Sequence, residues 1–338
     1  MGSQFEVILP AGIYPQALDA VLSAFDVVQD LEKKLSYFLP DSEVSCINQQ
    51  AGVQPVSVSE EVWEVISESL RAFRETDGAF DITSGPLWRL WGFARKTRQI
   101  PSPDEIREAL SAVGSDKVVL EPQSRSVYLS QVGAELNLGG IGKGFALDRA
   151  LRVLRSFGIE CVLVSGGYSS VLMSVPEEPP PCGSGESQSD QKAIRNPSDP
   201  CPMRGALTSW IWEVGIRDPL RPEIRVGVLR LKSGAIGTSG SALQFFRHEG
   251  KRLSHIIDPR TGHPVGDPVL AVTVLAPTAT WADVLSTAFF IQGPDWAEDY
   301  CRRNCGVAAI FALTAENPRG YVWRMVGSWP EASAALDE

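Results

Sequence analysis

Between residues 15 and 38, Leu18, Val21, Phe25, Val28, Leu31, Leu35 and Phe38 recur three or four apart. That spacing predicts one long amphipathic helix over 15–38 with a single core-facing stripe. The preceding FEVIL (5–9) reads as a short strand. Ser59 precedes a second helix whose apolar face carries Val62, Ile66, Leu70 and Phe73. Ser102-Pro103-Asp104-Glu105 combines a cap, a first-position proline and a glutamate three after the cap, so a third helix starts there, with Gly114 as its stop. Strands follow at 117–121 and 126–130, and the glycine-rich turn LNLGGIGKG (136–144) feeds a helix that runs to about Phe157 and ends at Gly158. CVLVS (161–165) is a buried strand running into Gly166-Gly167.

Residues 176–205 break the pattern. They are polar and rich in Pro, Gly and Ser, which predicts a flexible insertion loop. Strands resume at 210–216, 225–231, 255–257 and 270–275. Helices begin near Ala282 and cover 295–304, and strands at 308–314 and 321–325 close the chain. Strands and helices mix without a repeat, which predicts an α+β fold and not a doubly wound sheet.

Length and composition narrow the class. The chain has 338 residues, 43% of them hydrophobic and 21% charged, enough for a real core and for two domains or one elaborate one. Lys and Arg number 31 against 41 Asp and Glu, a net charge of −10, which excludes broad electrostatic binding to nucleic acid. The three histidines, His248, His255 and His263, are too few for a multi-histidine metal centre. A site of carboxylates, hydroxyls and carbonyls stays available and suits a hard cation such as Mg²⁺. The six cysteines contain no C-x-x-C pair, so a reduced chain is expected; Cys182 and Cys201 flank the polar loop and can pair if the chain is exported. No basic and apolar leader opens the chain, which favours a cytoplasmic protein unless a leader has been removed, and no apolar run reaches membrane-span length.

Several segments carry chemistry, each with a plainer alternative. Gly139, Gly140, Gly142 and Gly144 surround Lys143 at a helix start, which suits phosphate or a mere tight turn. The order fits neither a P-loop nor a dinucleotide fingerprint. Thr280-Trp281-Ala282-Asp283 reads as a helix start capped by Thr280. Asp283 and Thr287 are four apart and share one helical face, so they can share Mg²⁺, or Asp283 is simply a first-turn acid. In HIIDP (255–259), an extended His255 shares a face with Ile257 and can donate to phosphate or relay a proton, or it is a half-buried histidine bonded to a carbonyl. The aromatics of GAFDITSGPLWRLWGF (78–93) line a ring pocket or fill core, and Thr238-Ser239-Gly240 suits phosphate or chain reversal.

Taken together these segments resemble the ApbE family of FAD:protein FMN transferases. Met1-Gly2-Ser3, Ser36, Phe38, Ser42–Asn48, the 78–93 block, LGGIGKGFALD (138–148), SGGYSS (165–170), GTSG (237–240), HIIDPRTGHPV (255–265) and ADVLSTAFFIQG (282–293) match its blocks in order. Asn137, Tyr168, Ser241 and Ala242 differ from the family's usual residues.

The resemblance implies an ApbE-like, T-fold-related mixed α/β architecture, with 1–338 as one functional unit of two interleaved lobes and 176–205 as an insertion. It implies transfer of FMN from FAD to a Thr or Ser hydroxyl of an acceptor flavoprotein, with release of AMP. It implies Mg²⁺ held by the side chains of Asp283 and Thr287 and the carbonyl of Gly142. Asn48, Phe80, Asp81, Thr83, Lys143, Tyr168, Ser239 and His255 are the residues it places on FAD, with His255 and Asp283 as catalytic candidates. An FAD pyrophosphatase and a non-catalytic flavin carrier share the same residues and remain as alternatives.

Overall fold

The structure, a computed structural model, describes residues 3–93, 100–177, 207–241, 245–248, 251–330 and 334–336. Met1-Gly2, Ala242, Cys182, Cys201 and nearly all of the 176–205 loop lie outside the described residues.

A seven-stranded sheet organises the chain. Its order is Phe5–Ile8, Val162–Gly166, Ser170–Ser174, Gly234–Gly240, Val269–Ala276, Ala308–Thr314 and Tyr321–Gly327. Every neighbouring pair is antiparallel. The mix of this sheet with segregated helices is the expected α+β class.

Alternation along the strands decides what each face meets. Val162 and Val164, Val272 and Val274, and Ala309 and Phe311 face a core shared with the helices. Their neighbours Leu163, Leu275, Ala308 and Ile310 pack with Trp212, Ile216, Leu229 and Leu231. Those last four belong to a small sheet of Trp212–Arg217, Arg225–Leu231 and Ala334–Leu336. The main sheet is therefore buried on both sides, which explains strands such as CVLVS that lack polar alternation.

The Ala279–Gln292 helix is the centre of the helical layer. It touches the Gly142–Ser156 helix and the strands Gly234–Gly240 and Val269–Ala276. A helix enclosed on several sides must be apolar nearly all round. Ala282, Val284, Leu285, Ala288, Phe289 and Phe290 are all buried, and so is the charged Asp283. Two glycines permit this close packing. A Cβ on Gly237 would lie 2.8 Å from the Asp283 nitrogen, and one on Gly144 2.7 Å from the Thr280 nitrogen.

The first predicted helix is shorter than expected. It spans Ala17–Leu35, and Ser36 turns extended at ψ 125°. The Ser36 carbonyl then accepts the Ser42 hydroxyl at 2.5 Å, so the chain leaves the helix before Phe38. The buried face is Ala20, Ala24, Val28, Leu31 and Leu35, whereas Leu18 and Phe38 are 70% and 68% exposed. Alanines displaced the larger residues from the stripe because this helix packs against the Gly142–Ser156 helix. Ser102 forms the expected capping box with Glu105. Among the described residues no helix is long and apolar enough to cross a membrane. Among them, Cys46, Cys161, Cys301 and Cys305 are free.

Candidate active site

A cleft of about 750 Å³ opens between the glycine-rich turn, the strand ends around Gly167 and Ser239, and the segment at His255. That volume lies within the range of small-molecule sites. Phe80, Asp81, Lys143, Tyr168, Ser239, His255, Asp283 and Thr287 all line it. Residues from six separate stretches of chain therefore converge there.

Asp283 forms the floor. It is 5% exposed. Its Oδ1 accepts the Ser170 hydroxyl at 2.6 Å and its Oδ2 accepts the Gly144 N–H at 2.8 Å. Burial pushes its carboxyl above the usual carboxylate range, and the Lys143 charge opposes that rise through space. One turn on, the Thr287 hydroxyl donates to the Asp283 carbonyl at 3.3 Å, as does the Ser286 hydroxyl at 2.9 Å. Ser239 joins them, 2.9 Å from the Ser286 hydroxyl and 3.4 Å from that of Thr287. The result is a row of hydroxyls beside the buried carboxyl of Asp283.

The glycine turn forms the adjoining wall. Gly139, Gly140 and Lys143 face the cleft. The Gly142–Ser156 helix begins there with no side-chain cap from Ile141; Gly142 donates to Leu138 and Gly144 to Asp283, so it is the helix dipole and the remaining N–H groups of the turn that favour an anion. A Cβ on Gly140 would meet the Phe80 ring at 3.0 Å and Thr287 Oγ1 at 3.6 Å, which shows how closely the turn approaches both. Asn137 also lines the cleft, and its Oδ1 accepts the Gly139 N–H at 2.9 Å, bracing the turn. Gly142 is buried beside this wall and is not part of it; its N–H donates to Leu138.

Tyr168 is 77% exposed at the opposite rim, with the Arg217 guanidinium 4.0 Å above its ring. Phe38 and Trp88 line the rim as well, their rings 6.0 Å apart.

Several expectations need correction. Asn48 does not reach the cleft wall. Its amide is spent on Leu136, donating to the carbonyl at 3.0 Å and accepting the N–H at 2.7 Å. Thr83 is fully buried; its hydroxyl donates to Asp81 at 2.6 Å and accepts the Gly114 N–H at 2.7 Å. Asp81 also accepts both the hydroxyl and the N–H of Ser115. This block thus braces one end of the cleft, and only Phe80 and Asp81 of the three named residues touch it.

The cap of the central helix is Thr278, whose hydroxyl accepts the Trp281 N–H, and not Thr280. The Thr280 hydroxyl donates to Asp148 instead. Asp283 therefore lies beyond the first turn, so its burial is not the ordinary preference of acids for helix starts. His255 falls between the strands Lys251–Ser254 and Ile257–Asp258 and is half-buried, so the shared strand face with Ile257 does not exist. The aromatic block divides: Trp91 is core, with its indole N–H on the Gly262 carbonyl at 2.8 Å, while Trp88 lines the cleft. Ser170 and Ser286 lie inside the SGGYSS and ADVLSTAFFIQG blocks but were not singled out there, and Arg217 lies outside every block; Ser170 and Arg217 gain meaning only from partners far along the chain.

The fold and the site define a mixed α/β protein with a small-molecule-sized cleft over a buried acid and a hydroxyl row. A sequence profile of the ApbE family matches residues 1–311. Over 297 residues the chain is 32% identical to the FAD:protein FMN transferase of Escherichia coli K12, covering 86% of this chain and 76% of that one. It is 30% identical over 319 residues to the FAD:protein FMN transferase of Treponema pallidum (strain Nichols), covering 92% and 80%. The ApbE protein of Thermotoga maritima superposes with a TM-score of 0.77 at 28% identity, covering 96% of this chain and 94% of that one. The flavin transferase ApbE of Vibrio cholerae shares the fold with a TM-score of 0.74 at 23% identity and the same coverage. The chain belongs to the ApbE family and is an enzyme of its flavin-transferase class.

Proposed function

We propose that this protein transfers FMN from FAD to a Thr or Ser hydroxyl of an acceptor flavoprotein and releases AMP. The observation that carries the reading is Asp283: a 5% exposed carboxyl beside hydroxyls in a nucleotide-sized cleft, with no cation hydrogen-bonded to it among the described residues and the Lys143 charge reaching it only through space. Burial disfavours the charged carboxylate and Lys143 offsets that only through space, so a cation bound directly to Asp283 would stabilise its charged form.

The donors fit Mg²⁺. Asp283 keeps lone pairs beyond those used by Ser170 and Gly144, and the remaining donors, Thr287 and the carbonyl of Gly142, are oxygens. Asp283 and Thr287, which line the cleft, would hold the ion, with the carbonyl of Gly142, which does not line it, as the third donor that the family resemblance implies. Bound there, Mg²⁺ supplies charge neutralisation for a pyrophosphate and for the leaving phosphate.

The chain's own groups do the rest. Lys143 and those N–H groups of the glycine turn not already given to Asn137, Leu138 and Asp283 bind the pyrophosphate oxygens and fix their direction. Phe80, Asp81, Tyr168 and Ser239 border the bound dinucleotide. His255 accepts the proton of the acceptor hydroxyl as that oxygen bonds to the FMN phosphorus. The bond broken is the one from that phosphorus to the bridging oxygen, which leaves with AMP.

Incubation with FAD, Mg²⁺ and a candidate acceptor tests the reading. Covalent flavin on the acceptor with AMP in equal amount is the expected result. FMN and AMP without adduct indicate hydrolysis, and intact bound FAD indicates a carrier; either refutes transfer. His255→Ala is expected to lower transfer most near neutral pH, and an unchanged rate at every pH removes His255 from the mechanism.

A further inference from the structure

Asp148 does not line the cleft, yet it grips the helix that carries Asp283. It lies on the Gly142–Ser156 helix, four residues after Gly144. Its Oδ1 accepts the Ala279 N–H at 2.9 Å. Its Oδ2 accepts the Thr280 N–H at 2.9 Å and the Thr280 hydroxyl at 2.5 Å. These donors are the first two residues of the Ala279–Gln292 helix, where unpaired N–H groups and the helix dipole favour a carboxylate.

One turn back along the first helix and one turn forward along the second, Gly144 donates to Asp283 at 2.8 Å. The helices thus run antiparallel through two rungs, Asp148 to Ala279 and Thr280, and Gly144 to Asp283. Two rungs one turn apart restrict both sliding and rotation. The missing side chain at Gly144 lets the backbones come close enough for both. The helix already has an ordinary cap, Thr278 on the Trp281 N–H. Asp148 therefore adds a long-range link that helix stability alone does not require.

We propose that Asp148 is a positioning residue: its carboxylate sets the register of Asp283 and Thr287 against the glycine turn and Lys143. The consequence for metal affinity rests on the reading that Asp283 and Thr287 hold the ion. The loss of groups that orient a metal ligand typically weakens binding about 10- to 100-fold.

The test compares Asp148→Ala, Asp148→Asn and Thr278→Ala in the full chain. Three properties are measured: Mn²⁺ affinity from the free-ion electron paramagnetic resonance signal, amide exchange at Gly144, and thermal unfolding. Asp148→Ala is expected to weaken Mn²⁺ binding about 10-fold or more and to speed Gly144 exchange. Asp148→Asn, which keeps one acceptor oxygen, falls between it and the wild type. Thr278→Ala removes the local cap and lowers the melting temperature, but leaves the other two readouts near wild type. The proposal is overturned if Asp148→Ala changes neither readout, or if Thr278→Ala moves them as much. Should Asp148→Ala fail to fold, Gly144 exchange in Asp148→Asn decides in the same two directions. A wild-type chain that binds no Mn²⁺ counts against the metal reading alone, because Gly144 exchange needs no metal and still decides the positioning role.

Discussion

Gly142 and Gly144 sit two residues apart at the start of one helix, and alanine should have opposite effects at the two. A Cβ on Gly144 would lie 2.7 Å from the Thr280 nitrogen and closer still to the Ala279 carbonyl, inside the 3.0 Å that real Cβ atoms keep. Both obstacles are backbone, so no side-chain rotation relieves the clash. Overpacking of this kind costs about 1–3 kcal/mol where side chains can yield, and an unyielding backbone puts Gly144→Ala at about 3 kcal/mol or more. Separation of the helices also stretches the 2.8 Å hydrogen bond from Gly144 to Asp283. A misplacement of about 1 Å at reacting groups can lower the rate by about 100-fold. At Gly142 an added Cβ meets nothing within 4 Å, and its φ is not in the left-handed region. Gly142→Ala should therefore gain about 0.5–1 kcal/mol from the lower entropy of the unfolded chain. Urea unfolding measures both stabilities, and covalent flavin formation on an acceptor measures both rates. If Gly144→Ala unfolds within about 0.5 kcal/mol of wild type, or if both variants lose equally, the close helix contact is not what holds the site.

Three further outcomes follow from the same structure. Asp283→Asn keeps the shape, an oxygen to accept the Gly144 N–H and an NH2 that can donate to the Ser170 hydroxyl, while removing the charge; transfer should fall by at least about 100-fold with little loss of metal-free stability, and an active or unfolded variant contradicts this. Ser102→Ala removes the capping box of the exposed Pro103–Ser111 helix and should cost about 1 kcal/mol in unfolding without altering transfer, since that helix does not line the cleft. Burial pushes the Cys161 and Cys301 thiols up to about 11, so they stay protonated in the folded chain when unfolded thiols have ionised. Their contribution is full below the unfolded thiol value and is lost as pH rises toward 11, so stability should decline over that window, and thiol labelling at pH 8 should reach the exposed Cys305 well before either.

The local elements were legible wherever neighbouring residues decide them. The Ser102 capping box uses two residues three apart, and the apolar runs at 161–164 and 308–313 announce the strands Val162–Gly166 and Ala308–Thr314. The long helix was legible too, but not its buried face. Which stripe is buried depends on the neighbour, and a close helix pair selects Ala20 and Ala24 over Leu18.

The sequence by itself determined the succession of elements, the excess of acidic charge, the scarcity of histidine and the ordered motif blocks that mark the family. It also placed Asp283 and Thr287 on one helical face, because four residues make about one turn. Only the tertiary structure decided how polar side chains are used. Within the motif blocks, Asn48 and Thr83 are consumed by backbone and by Asp81, while Ser170 and Asp148 hold Asp283 and its helix. The physical reason is range. The Ser170–Asp283, Asp148–Ala279 and Gly144–Asp283 bonds span 113, 131 and 139 residues. A buried polar group must find a partner, and at such separations the packing of the whole sheet and helix layer determines which partner arrives.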